Sequence, residues 1–163
     1  MSRPGLELSP IDRAVRAEEQ GHRTVVVGAD GSSAVDPFVL ASAVASATSS
    51  IQILIRVPTD QWHPYLVARR LAALDKISGG RIDWWPDDPV DTRRDEAVHI
   101  VAALLTSWAP DAVVNDRAAG LHVDTDRVMP VHVHGTWFAV DSPLDVCAGP
   151  QGVVPVVDPG GVR

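Results

Sequence analysis

A handful of side chains in this sequence could do chemistry. His63, just ahead of Pro64 and Tyr65, is by type the best general acid or base, because an imidazole changes charge near neutral pH. A role in capping the following loop is its structural alternative. Arg56 closes a run of β-branched residues, and its planar guanidinium suits a phosphate or a carboxylate. An ion pair with Asp30 or Asp83 would explain it equally well. Trp85 could stack on a planar ligand or pack as a large apolar body. Asp30, in the run Gly28-Ala29-Asp30-Gly31, is placed either to touch a ligand or to cap a turn, as an aspartate before glycine often does. His132 and His134 alternate, so on a strand they share a face, and with His122 they raise the question of a metal. With no acidic or cysteine ligand at a recognised spacing, a surface position or hairpin packing is expected instead, and no metal site. Cys147 is the single cysteine, which rules out an intrachain disulfide and fits a reducing compartment. No base neighbours it in sequence, so no catalytic role is assigned to it.

These residues need scaffolding, and the sequence supplies it in βα order. Ile51 to Val57 reads as a strand closed by Pro58. After Pro64, the spacing of Val67, Leu71, Leu74 and Ile77 predicts one apolar helix stripe, with Gly79 as its left-handed terminator. Arg81 to Trp85 begins another strand. Upstream, Ser9 caps a helix with Pro10 in its first turn, Thr24 to Gly28 is a short buried strand, and Asp36 or Pro37 to Ser49 is an alanine-rich helix. Downstream, Asp91 is expected to cap a helix whose inward stripe is Val98, Val101, Leu105 and Trp108, stopped by Pro110. From 111 to 152 the periodicity is lost, apart from one hairpin suggested by Val131, Val133, Trp137 and Ala139. Gly152 to Val157 is the last strand. The whole is expected to be one domain with a loose arm at 1–10.

The stretch HPYLVARRLAALDKISGGR closely resembles a helix and strand of the luciferase-like flavin monooxygenases, in the branch of the nitrilotriacetate, EDTA and dibenzothiophene-sulfone enzymes. VVVGADG with DPFVLASAVASATSSI, and the segment from RRDEAVHIV to GVVPVV, extend the resemblance over about Asp12 to Val157. The resemblance implies parallel βα units of a TIM-barrel type with an inserted hairpin region. It implies oxygenation of a small organic substrate by reduced FMN, delivered by a flavin reductase. It places Asp30 at an acidic position near the flavin. Arg56 stands where the family usually carries a small hydroxyl residue, and Trp85 where it carries polar flavin contacts. His63 falls near the substrate. The alternative reading is a non-catalytic truncated paralogue, acting as a partner subunit or small-ligand binding module.

Size and charge narrow these possibilities. A complete (β/α)₈ barrel takes roughly 250 residues, so 163 residues with four predicted strands amount to about half of one. Open ladder edges and an uncovered sheet face invite pairing, and a homo-oligomer is expected. A net charge of -7 without a clustered Lys/Arg face argues against nucleic acid. No apolar run approaches a membrane span and no basic-then-apolar leader opens the chain, so a cytoplasmic protein is expected.

Overall fold

The structure is a computed structural model and describes residues 8–28 and 35–158. Three of its helices start the same way, with a polar cap residue followed by proline, whose fixed φ suits the first turn. In α1 (Pro10–Glu19) the Ser9 hydroxyl accepts from Asp12 N at 3.1 Å; in α2 (Pro37–Ala47) the Asp36 carboxylate accepts from Phe38 N at 2.8 Å. In α3 (Pro64–Ser78) the cap is His63, whose Nδ1 accepts from Tyr65 N at 3.3 Å. Gly79 ends α3 at φ +68°, as expected of a left-handed terminator. The fourth helix, α4 (Asp91–Leu105), departs from expectation. Its cap position is Val90, and Asp91 is already inside the helix. The carboxylate that reaches the cap is Asp88, taking Val90 N at 2.8 Å.

Strands β1 (Thr24–Val27), β2 (Gln52–Pro58) and β3 (Ile82–Asp87) form a parallel sheet in the order β1-β2-β3. Ile55 lies opposite Trp84, and Arg56 opposite Trp85. The predicted strand at 152–157 contributes a single parallel bridge, Trp84 to Val156, carried by Trp84 N to Pro155 O and Val157 N to Trp84 O, each 2.8 Å. The βα units are thus parallel, as in part of a TIM barrel, with the fourth strand reduced to this bridge.

Period-two alternation splits the sheet into two faces. Val27, Ile53, Ile55, Val57, Ile82 and Trp84 face the helices and build the core with Phe38, Val44, Leu71, Ile100 and Leu104. Burying side chains of this size contributes about 1.5–3 kcal/mol each. The stripe of α3 is narrower than its spacing suggests: Val67, Leu71 and Leu74 are buried with Ala68 and Ala72, but Ile77 is exposed. In α4 the buried set is Ala97, Ile100, Val101, Leu104 and Leu105. Trp108 lies beyond the helix and donates Nε1 to Leu144 O at 2.7 Å.

The region after α4 holds two antiparallel hairpins. One is β4 (Val113–Asp116) with β5 (Leu121–Val123); the other is β6 (Val131–His134) with β7 (Ala139–Ser142). Trp137 sits in the second hairpin's connection rather than in a strand. Among the described residues no helix is long and apolar enough to cross a membrane.

Candidate functional site

The parallel sheet places the C-terminal ends of β2 and β3 beside the N-termini of α3 and α4, and the charged residues of interest gather there. Arg56 and Trp85 alternate away from the core-facing Ile55 and Trp84, so both project from the face opposite the helices. The Arg56 guanidinium lies 4.7 Å from the centre of the Trp85 ring and forms an ion pair with Asp87 at 2.8 Å. Of the two partners expected for Arg56, Asp83 is engaged by Gln52 and Asp30 lies outside the described residues. Burial pushes the Asp83 carboxyl up, and the Gln52 hydrogen bond only partly offsets this. Arg56 therefore does double duty: it stacks on the indole and neutralises Asp87.

Next to this wall is a buried carboxylate. Asp88 takes a two-pronged bond from Arg93, Nε to Oδ2 at 2.7 Å and Nη2 to Oδ1 at 2.8 Å, and also accepts from the Thr59 hydroxyl and Val90 N. The Arg93 guanidinium holds the Asp88 carboxyl down to about 2, against the opposing pull of burial. Arg93 in turn lies 5.2 Å from the Trp137 ring. A third arginine, Arg70, sits 4.2 Å from the Trp62 ring and pairs with Asp36 at 3.1 Å. The rim is thus a set of guanidinium–indole stacks, each balanced by a nearby aspartate.

His63 stands on this rim. Its Nδ1 is spent on the helix cap, so the proton belongs on Nε2. The ring makes an edge contact with Phe138, 5.8 Å between centres, and remains exposed. Asp30 lies outside the described residues. Asp87, Asp88, Arg93 and Thr59 were not singled out from sequence. The one available signal was two consecutive aspartates at the end of a strand, which reads equally well as an ordinary polar loop.

His132 and His134 share a face on the hairpin surface, as expected, and Asp141 on the opposite strand accepts from both, at 3.1 and 3.0 Å. The His132 hydrogen bond holds Asp141 below the usual carboxylate range. His122 is on the other hairpin, 2.6 Å from Asn115. Among the described residues no group of three metal-ligating side chains is arranged to hold an ion. Cys147, without a neighbour in sequence, has one in space: Lys76 Nζ is 3.3 Å from its sulfur and 2.7 Å from its carbonyl oxygen.

Comparison with known proteins fits this architecture. The luciferase-like monooxygenase family profile matches residues 9–85. Dibenzothiophene-sulfone monooxygenase of Rhodococcus erythropolis is 32% identical over 83% of this chain and 34% of its own length. A subunit of the pristinamycin IIA synthase of Streptomyces pristinaespiralis is 35% identical over 96% of this chain and 60% of its own. Among solved structures, a long-chain alkane monooxygenase superposes with a TM-score of 0.80 over 90% of this chain and 43% of its own, at 23% identity, and so shares the fold. The chain spans about a third of the length of the sulfone monooxygenase.

Proposed function

The chain belongs to the luciferase-like monooxygenase family through residues 9–85, and from that premise we propose that it serves flavin-dependent oxygenation of a small organic molecule, with reduced FMN supplied by a separate reductase. The observation that carries the reading is the Arg56–Trp85 pair. These two residues are register partners on adjacent parallel strands, and they form a flat cationic wall at the strand ends, where βα barrels carry their sites.

The wall suits the group in shape and charge. An isoalloxazine is planar, as the stacked guanidinium and indole are, and a reduced flavin carries negative charge that a guanidinium can meet. When bound, the flavin supplies activation of dioxygen and delivery of one oxygen atom to the substrate. The chain's own residues do the rest. Trp85 and Arg56 line one wall of the mouth, Asp87 fixes the guanidinium in plane, and Asp30 is proposed as an acidic neighbour of the ring. His63, holding its proton on the exposed Nε2, is the proton donor or acceptor at the substrate side.

A non-catalytic subunit is the second reading, favoured by a specific feature: Arg56 is already satisfied by Asp87, where a ligand-ready guanidinium would have a vacancy to fill. A relative at 35% identity is itself named as a subunit. Anaerobic calorimetry with reduced FMN tests the first reading. We expect heat of binding that falls at least tenfold in affinity in Arg56→Ala; absence of heat in the unmodified chain sinks it. Oxygen uptake with a reductase and NADH, lost in His63→Ala while binding persists, separates catalysis from binding alone.

A further inference from the structure

The turn joining β6 to β7 is held more firmly than its exposure requires. Gly135 N donates to Phe138 O at 2.9 Å, and the Glu96 carboxylate of α4 gathers the amides of Thr136, Trp137 and Phe138 at 2.8 to 3.0 Å. A side chain at Gly135 would collide with that carboxylate, so the approach is fitted to glycine. Fixed in this way, the turn straddles the starts of α3 and α4. Phe138 meets the His63 ring at 87° with the centres 5.8 Å apart, and Trp137 carries the Arg93 guanidinium 5.2 Å from its ring centre. Both partners belong to the strand-end mouth. Arg93 grips Asp88, whose neighbour Asp87 pairs with Arg56, and Thr59 donates its hydroxyl to Asp88 and its amide to Asp87 O at 2.9 Å. Phe138 is half-buried, but Trp137 stays 44% accessible. Core packing stabilises by burial, so an indole anchored through its backbone, backed by a cation and left open is not explained by packing.

We propose that Trp137 and Phe138 form a second wall of the mouth and select a planar aromatic substrate carrying a hydrogen-bond acceptor, with Glu96 as their positioning residue. The inference rests on the reading of the strand ends as the substrate site and names the substrate class for it. Aromatic rings meet offset or edge to face, so a flat substrate ring gains contacts from the open indole and from Phe138 that a puckered saturated ring of equal size does not. The exposed Nε2–H of His63, beside Phe138, supplies the donor for the acceptor oxygen. Trp137 and Phe138 are consecutive, about 3.8 Å apart at Cα, which sets ring contact and donor within reach of one small molecule. Asp88 engages Arg93 through a two-pronged bond, so nothing on this wall calls for a charged substrate.

A naphthalene carboxamide and its decahydro analogue share the acceptor and carry no charge, and only the first is planar. Calorimetric titration of the full chain without flavin is expected to give a Kd for the naphthalene compound roughly three- to tenfold below that of the analogue. Trp137→Leu and Phe138→Leu, which keep apolar bulk, are expected to bring the two values together. Glu96→Ala is expected to do the same, and Glu96→Gln, which retains an acceptor oxygen for the turn, is expected to restore most of the preference. A Glu96→Ala chain that melts earlier with its preference intact would overturn the positioning role. Equal affinities in the unmodified chain, no binding of either compound, or a preference that survives both leucine variants would each overturn the wall itself. Binding of reduced FMN alongside equal affinities would leave the chemical reading standing while this one falls; the preference without oxygen uptake would sink the catalytic reading alone.

Discussion

Single carboxylates fix the irregular parts of this molecule by gathering backbone N–H groups that no helix or strand satisfies. Glu18, on α1, takes the amides of Ser49, Ser50 and Ile51 at 2.6 to 3.2 Å and so pins the turn from α2 into β2. The Ser50 amide does most to hold its carboxyl down to about 2. Because the folded value lies below the unfolded one, this contribution is complete above about pH 4.5 and fades as the pH falls toward 2. Thermal melts between pH 6 and 2.5 are expected to show a steeper acid loss in the unmodified chain than in Glu18→Gln, which should begin lower and slope less. Asp88 is the buried counterpart, with Arg93 as its partner. Removing it leaves a desolvated guanidinium, and Asp88→Ala is expected to cost about 2 to 3 kcal/mol in urea unfolding. An effect under about 0.5 kcal/mol would mean the pair behaves as a surface bridge.

Between elements, two further carboxylates decide what is attached to what. Glu96 on α4 accepts from Thr136, Trp137 and Phe138 amides at 2.8 to 3.0 Å and ties the β6–β7 hairpin to the helix. Burial raises its carboxyl, but the three amides outweigh this and hold it below the usual range. Hydrogen exchange is expected to quicken across 131–142 in Glu96→Ala while the amides of β2 keep their protection. Uniform acceleration over the whole chain would count against a local clasp. Asp75, fully buried in α3, accepts from the backbone and side-chain nitrogens of Gln151, at 2.9 and 2.8 Å. That clasp holds the chain just ahead of the Trp84–Val156 bridge, and Gly149 packs so close to Asp75 that a side chain there would collide with it. Asp75→Asn retains the shape but weakens the acceptor, and Gly149→Ala forces the two apart. Both are expected to loosen 149–157, with the alanine variant losing more.

Taken as a whole, the fold concentrates its stability in the βα layer and spends little of it on the hairpins. Leu71 is completely buried in that layer, and Leu71→Ala is expected to cost about 3 kcal/mol by denaturant titration. The β4–β5 hairpin is a two-stranded ribbon, the kind that is marginal in water unless something packs on it, and Val114 and Leu121 in it are exposed. Limited proteolysis is therefore expected to cut first near 116–120 and leave the residues from α1 to α4 intact; early cleavage within α2 or α3 would contradict this distribution.

The local grammar of the chain was legible without coordinates. Ser9-Pro10, Asp36-Pro37 and His63-Pro64 mark helix starts, Gly79 marks a stop, and continuous apolar runs mark parallel strands, because capping and φ restriction act over a few residues; the expected burial of β1 holds only at Val27, since Thr24 and Val26 are exposed. Arg56 and Trp85 could be assigned to strand ends for the same reason. What sequence spacing could not carry was contact between distant positions. The choice of Asp87 over Asp83 for Arg56, the bond from Asp88 to the α4 cap, Asp141 between two histidines, and Lys76 against Cys147 each depend on where the turns bring the chain back. Periodicity misjudged Ile77 and Trp108 because a stripe is buried only as far as a neighbour extends to cover it. Only the tertiary structure reduced the fourth strand to one bridge, since a ladder needs a partner whose length and register no single segment encodes.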